Sequence, residues 1–366
     1  MKILALKETS LFEKRIAITP DMVKKYQQIG FEVFIEKDAG LNCNFSNQDF
    51  LNLNVKIIDN IAEILPQIDI IINVQNNHFP YHLAKDNAIF IGILNPNFNT
   101  EKINQLRQHK IKSFALELTP RITRAQNIDV LSSQSNLAGY ISVIEAAKYL
   151  NRAIPMFMTA AGTLSAAKFM IIGAGVAGLQ AIATAKRLGA IVSAFDVRAA
   201  AKEQVQSLGA KFIEVENVNN QYDIEAQKSA FYAQEMSEEY KLKQKDLLKK
   251  TIISQDVVIA TALIQGKKSP ILIDEEMVSQ MKSGAIIVDL SASNGGNCQL
   301  TKINQIFTTE NKVTIIGYDN FPSLVAIDAS QLIARNIYNF INLLIDKEQQ
   351  KIIINQQDEI IAATTI

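Results

Sequence analysis

One stretch narrows the choice of fold more than any other. Lys168-Phe-Met-Ile-Ile172 reads as a strand and runs directly into Gly173-Ala-Gly175-Val-Ala-Gly178, which opens a helical pattern continuing to Gly189. Strand, G-x-G-x-x-G and helix, in that order, is the setting in which a doubly wound parallel sheet binds a dinucleotide. Gly173 would make the tight turn, Gly175 would let backbone approach the pyrophosphate, and Gly178 would let helix and strand pack closely. The phosphates would then rest on the N–H groups and positive dipole end of the helix. Asp196 stands 18 residues beyond Gly178, at the end of the next strand-like run. Its carboxylate can accept from both adenosine ribose hydroxyls and would repel a 2′-phosphate, which favours NAD(H) over NADP(H). Arg198, two residues on, works against that preference.

The rest of the chain repeats the same grammar. Strand-like runs at Lys2–Lys7, Phe31–Lys37, Val55–Asp59, Ile68–Val74, Ala88–Leu94 and Lys112–Leu118 alternate with helical patterns. A second series runs through Phe169–Ile172, Ile191–Phe195, Phe212–Val215, Val257–Thr261, Ala285–Leu290 and Val313–Gly317. The expectation is an α/β protein of two Rossmann-like doubly wound parallel-sheet lobes joined by long helices. Thr19 as cap, Pro20 at the first position, the stripe Met22, Val23, Tyr26 and Ile29, and Gly30 at the end mark the first crossover helix. Ser135 to Leu150 and Asp328 to Leu344 read as the long helices, the second returning the C-terminus to the first lobe. The lobes expected are residues 1–134 plus about 325–366, and 135–324, with 119–134 at the seam. Residues 216–250 are a polar insertion ending in a helical run, Glu235–Lys250. They read either as a solvated helix or as a mobile flap over a ligand, the loop lying at about 216–240.

Composition removes several classes. With 37 Lys+Arg against 37 Asp+Glu, the formal net charge of +0 argues against a nucleic-acid partner. A hydrophobic fraction of 48% is too high for disorder, while no apolar run approaches the roughly 18 residues of a membrane span. The N-terminus enters a strand without signal-peptide organisation, so a cytoplasmic chain is expected. Cys43 and Cys298 lack metal-ligand spacing and read as free buried thiols.

The seam carries Arg121, Arg124, Gln126, Asp129, Ser132 and Ser133. A nicotinamide carboxamide presents one NH₂ and one C=O, which Gln126 and Asp129 can satisfy, with Arg121 holding the Asp129 carboxylate. A hydrated linker with a local salt bridge accounts for the same residues. What the chain lacks is equally informative. A hydroxy- or amino-acid dehydrogenase needs a proton donor beside the hydride acceptor, yet His78, His82 and His109 all read as surface residues. Hydride transfer to an acceptor needing no proton, such as a second nicotinamide, fits that absence.

The run from Pro120 to Tyr140 (PRITRAQNIDVLSSQSNLAGY) closely resembles the signature of the NAD(H)-binding domain of proton-translocating NAD(P) transhydrogenase. Met158–Thr163, Gly173–Ala190, Gly295-Gly-Asn-Cys298, Lys7-Glu8 and Arg15 resemble it too. The resemblance implies the α subunit or the separate N-terminal portion of one. That would be a homodimer placed peripherally on the cytoplasmic face of the inner membrane, beside membrane-embedded subunits including an NADP(H)-binding β subunit. It further implies that Arg121, Gln126, Asp129 and Ser132 orient the nicotinamide, with Asn127 and Ile128 beside them. Gly173, Gly175, Val176 and Gly178 would hold the pyrophosphate, Asp196, Val197 and Arg198 would surround the adenosine ribose, and Leu263 and the loop residue Tyr232 would complete the cofactor site. Phe231 and Gln265 depart from the family's usual Gly and Pro, which bears on loop closure. The chain ends at Ile366 without the hydrophobic helices of a full-length α subunit, as a split form or a fragment would. Two alternatives remain. One is an alanine dehydrogenase-like enzyme, disfavoured because Asn73 and Ile93 replace its substrate-binding Lys and His; the other is a non-catalytic NAD-sensing scaffold.

Overall fold

The computed structural model describes all residues except 76–78, 217–220, 228–235, 265–267 and 347. The chain divides into two compact units, Met1–Gln134 with Pro322–Ile366, and Ser135–Phe321.

In the first unit, β1 (Lys2–Ala5), β2 (Glu32–Glu36), β3 (Lys56–Ile58), β4 (Ile70–Ile72), β5 (Ile89–Gly92) and β6 (Lys112–Ala115) form an all-parallel sheet ordered β3-β2-β1-β4-β5-β6. The winding reverses between β1 and β4, the topology of a doubly wound sheet. Ile70, Ile71 and Ile72 are all buried, because helices cover both faces of such a sheet. The first crossover helix, Pro20–Gln28, buries Met22, Val23 and Tyr26, and Gly30 ends it at φ +86°. Thr19 occupies the cap position but makes no capping bond with its side chain, contrary to expectation; Pro20, with φ already set, starts the helix. The helix Ala326–Ile341 buries Ile333, Ala334, Ile337, Phe340 and Ile341 in the same core, the Phe340 ring 5.2 Å from Phe114.

Residues past the strand ends serve other purposes. Glu8 lies buried beyond β1 and accepts from the Val74 (2.7 Å) and Gln75 (3.3 Å) N–H groups beyond β4. Burial, reinforced by the charge of Glu13, pushes the Glu8 carboxyl up to about 8. Glu13 and Arg15 form a buried bidentate pair (2.8 and 2.6 Å), with Ser323 donating to Glu13 at 2.9 Å and Arg15 donating to Gln134 at 2.7 Å. Burial alone would raise the Glu13 carboxyl, but the Arg15 bonds and charge outweigh it and hold it below the usual range.

In the second unit, β7 (Phe157–Thr159) and β8 (Gly162–Leu164) make a separate hairpin. The main sheet has β9 (Lys168–Ile172), β10 (Ile191–Phe195), β11 (Lys211–Ile213), β12 (Val257–Ala260), β13 (Ile286–Asp289), β14 (Ile306–Thr308) and β15 (Thr314–Ile316), ordered β11-β10-β9-β12-β13-β15-β14. Only β14 is antiparallel to its neighbour; neither it nor the hairpin is expected from the sequence, both being three-residue strands without a buried alternating face. The unit boundary falls within the helix Val130–Tyr149, which begins at Val130 rather than Ser135 because Asp129 accepts from the Ser132 N–H at 2.9 Å. The helix expected at Glu235–Lys250 is Glu238–Ile252, capped by Ser237. Cys43 and Cys298 are buried free thiols.

Glu8 makes stability depend on pH. The unfolded carboxyl ionises near 4.5 whereas the folded one holds its proton to about 8, so its contribution is complete below 4.5 and is lost as pH rises towards 8. Glu8→Gln keeps the neutral form. We expect its melting temperature relative to wild type to rise by a few degrees between pH 5 and pH 8; thermal melts giving a pH-independent difference would refute the assignment.

Candidate functional site

The glycine loop joins β9 to the helix Val176–Arg187 in the second unit. Gly173 has φ +96°, which L side chains rarely adopt, and its carbonyl accepts from the Thr261 hydroxyl at 3.0 Å. A Cβ on Gly178 would lie 1.8 Å from the Gly173 carbonyl oxygen, so only glycine lets this helix pass so close to the strand. A Cβ on Gly175 would meet nothing within 4 Å. Gly175 is also the cap residue of the helix, and no side chain caps it, so the first-turn N–H groups at Val176 and beyond remain available to an anion.

Asp196 follows β10 and is buried. It accepts from the Ala174 N–H (2.7 Å) and the Arg198 N–H (2.8 Å), and from Arg198 Nε (2.9 Å) and Nη2 (2.8 Å). The sequence leads one to expect a carboxylate open to ribose hydroxyls. The folded chain shows both oxygens doubly engaged, and a carboxylate has about four acceptor positions. A ribose would therefore exchange for a donor already present, and the Arg198 side chain is the one able to swing away. The same ion pair offsets the negative charge that would repel a 2′-phosphate. Val197 is partly buried against the core, whereas Leu263 is exposed.

Asn297, which sequence reasoning passes over within the Gly295–Cys298 block, fixes the segment that carries Leu263. It is fully buried, accepts from the Ala262 N–H (2.9 Å), and donates to the carbonyls of Ala262 and Pro270 (2.9 Å each). Its own N–H is held by Asp289 at 2.8 Å. Tyr232, Phe231 and Gln265 lie outside the described residues. Around the expected flap, Asp223 accepts from the Ser237 N–H (2.8 Å) and hydroxyl (2.6 Å).

In the first unit, residues 119–133 turn through a short 3-10 helix, Thr123–Ala125, anchored by buried Ala125 and Ile128. Arg121, Gln126 and Asn127 are exposed, while Asp129 and Ser132 are half-buried. The Asp129 carboxylate, expected on Arg121, is held by the Ser132 N–H (2.9 Å) and hydroxyl (2.6 Å). Arg124 pairs with Asp358 at 2.7 Å. Ser133 donates to the Val130 carbonyl (3.1 Å) and to Asn336 (2.7 Å), so it belongs to the packing of the segment. His82 is exposed, and His109, half-buried, stacks on Tyr81; His78 lies outside the described residues. Asn73 is fully buried, and Ile93 packs against the core. Among the described residues no cluster of His, Cys, Asp and Glu could hold a metal ion.

Family models described as alanine dehydrogenase/PNT, N-terminal and C-terminal domains, match residues 4–138 and 142–366. In Rhodospirillum rubrum, the first of the pieces into which NAD(P) transhydrogenase subunit alpha is divided is 44% identical over 100% of this chain and 96% of its own. Its namesake in Rickettsia prowazekii is 45% identical over 99% of this chain and 93% of its own. A solved transhydrogenase from Sinorhizobium meliloti superposes with a TM-score of 0.88 at 40% identity, covering 100% of this chain and 98% of that one. An L-alanine dehydrogenase shares the fold, with a TM-score of 0.80 at 21% identity over 100% of this chain and 94% of that one.

Asp196 supplies a test of cofactor choice. Asp196→Ala removes a charged acceptor and the negative charge beside Arg198, so NADH should bind at least about 10-fold more weakly while NADPH gains. Titration of both nucleotides by fluorescence would show this; an unchanged NADH-to-NADPH ratio would place ribose recognition elsewhere.

Proposed function

This chain belongs to the family of NAD(P) transhydrogenase alpha subunits, and on that premise we propose that it holds NAD(H) for direct hydride transfer with NADP(H) bound on a partner subunit. In this reading the hydride leaves C4 of one nicotinamide and arrives at C4 of the other, so NADH and NADP⁺ give NAD⁺ and NADPH with no proton exchanged at the rings. Gly173, Gly175, Val176 and Gly178 hold the pyrophosphate, Asp196, Val197 and Arg198 the adenosine ribose, and Tyr232 and Leu263 flank the cofactor. Arg121, Gln126, Asp129 and Ser132 orient the nicotinamide, beside Asn127 and Ile128. The observation that carries this reading is the chemistry of residues 119–133: amides, hydroxyls, two arginines and an aspartate, with no His, Lys or Cys. Such a set can position a ring but offers no group suited to proton transfer near neutral pH.

The reading extends to coupling and place. Hydride transfer is linked to proton movement across a membrane, through a path supplied by membrane-embedded partners that include the NADP(H)-binding β subunit. The chain then sits peripherally on the cytoplasmic face. Among the described residues no helix is long and apolar enough to cross a membrane. A homodimer is supported by the β7–β8 hairpin, which is marginal by itself and leaves Met156, Phe157, Met158 and Leu164 exposed.

Wild-type protein mixed with an NADP(H)-binding transhydrogenase subunit is expected to move hydride from NADH to an NADP⁺ analogue, and to do nothing appreciable alone. Gln126→Asn should slow that transfer at least about 10-fold with NADH affinity within about threefold, since it displaces the ring without touching the glycine loop. Nucleotide-dependent binding without transfer would favour a scaffold, and pyruvate reduction with ammonia by the lone chain would favour an amino-acid dehydrogenase. For the dimer, Met158→Asp should shift the mass in light scattering towards the monomer; a dimer that survives at micromolar concentration would remove the hairpin from the interface.

A further inference from the structure

The candidate nicotinamide-orienting residues sit on an exposed turn, and an exposed turn holds its geometry only if something fixes its backbone. The helix Ala326–Ile341 supplies that fixing from the far end of the sequence. Asn336 is buried on a face otherwise composed of Ala329, Ile333, Ile337 and Phe340. Its Nδ2 donates to the Asn127 carbonyl at 2.9 Å, and its Oδ1 accepts from the Ser133 hydroxyl at 2.7 Å. One turn further along, Asn339 donates to the same Asn127 carbonyl at 2.9 Å. Just past Ser133, Gln134 donates to the Ala329 carbonyl at 3.2 Å. The helix thus grips the segment on both sides of Asp129.

A buried amide is costly unless its donors and acceptor are used, and an apolar residue at this position would pack at least as well. What asparagine adds is a simultaneous hold on Asn127 and Ser133, and with it a fixed span for everything between them. Gln126 immediately precedes the held carbonyl, and Asp129 and Ser132 lie inside the span. We infer that Asn336, with Asn339 in support, is a positioning residue that sets the geometry of Gln126, Asp129 and Ser132 for hydride transfer. The inference rests on the functional reading above. Asn336 touches neither reactant and acts through the backbone it holds.

The test uses the full chain with its NADP(H)-binding partner. Asn336→Leu, nearly the same size and apolar, removes both bonds. Asn336→Asp keeps an acceptor for Ser133 but cannot donate to the Asn127 carbonyl. Both should lower the rate of transfer at saturating NADH by about 10- to 100-fold while NADH affinity stays within about threefold, because orientation and not binding is lost. Asn339→Ala, at a half-buried position and with one bond to lose, should cost only severalfold. Hydrogen exchange at the Ile128 and Asp129 amides, both bonded to the Ala125 carbonyl, reads the order of the segment without any partner and should speed up in the two Asn336 variants. Wild-type transfer by a folded Asn336→Leu protein would overturn the inference, as would equal losses of rate and affinity. Should Asn336→Leu not fold, Ser133→Ala deletes one bond, and an unchanged rate there would overturn it too. Failure of the wild type itself to transfer hydride is a different result, and sinks the functional reading instead.

Discussion

The second unit is organised around one approach of backbone to backbone. The Gly173 carbonyl sits where any side chain on Gly178 would have to be, so the helix Val176–Arg187 lies against β9 closer than side chains permit. That closeness places the helix N-terminus over the carboxyl end of β9. The Thr261 hydroxyl, donating to the Gly173 carbonyl, ties the start of the loop to the end of β12. The point where the winding reverses, between β9 and β12, therefore coincides with a set of backbone N–H groups and with the open space beside Gly175.

The first unit has the same winding but closes its reversal point differently. No glycine loop follows β1; instead Glu8 takes up two backbone N–H groups beyond β4 with its own carboxyl. Where the second unit leaves donors for an anion, the first satisfies them internally, and the Glu13–Arg15 pair ties the next residues to Ser323 and Gln134. The two sheets of this chain, wound alike, thus differ in what their strand ends do.

Much of this is legible in the residues themselves. Both sheets follow from strand-length apolar runs alternating with amphipathic helices, and the glycine loop from three residues in a row of six. Strand ends are overestimated: Lys2–Lys7 becomes Lys2–Ala5, and Lys112–Leu118 stops at Ala115 before a 3-10 turn. Apolar pattern reports burial, and burial continues past the last ladder hydrogen bond. The β7–β8 hairpin is missed for the converse reason, since exposed strands have no buried face to reveal them.

The candidate site divides along the same line. Local spacing alone identified the fold class, the glycine loop and the acidic residue after the following strand, because each depends on contacts within a few residues or on patterning repeated along the chain. Which partner each polar group takes was decided only by tertiary structure. Asp196 is engaged by Ala174 and Arg198, Asp129 by Ser132, and the Asn127 carbonyl by asparagines 209 and 212 residues away. A hydrogen bond depends on distance and angle in space, and sequence separation carries no record of either.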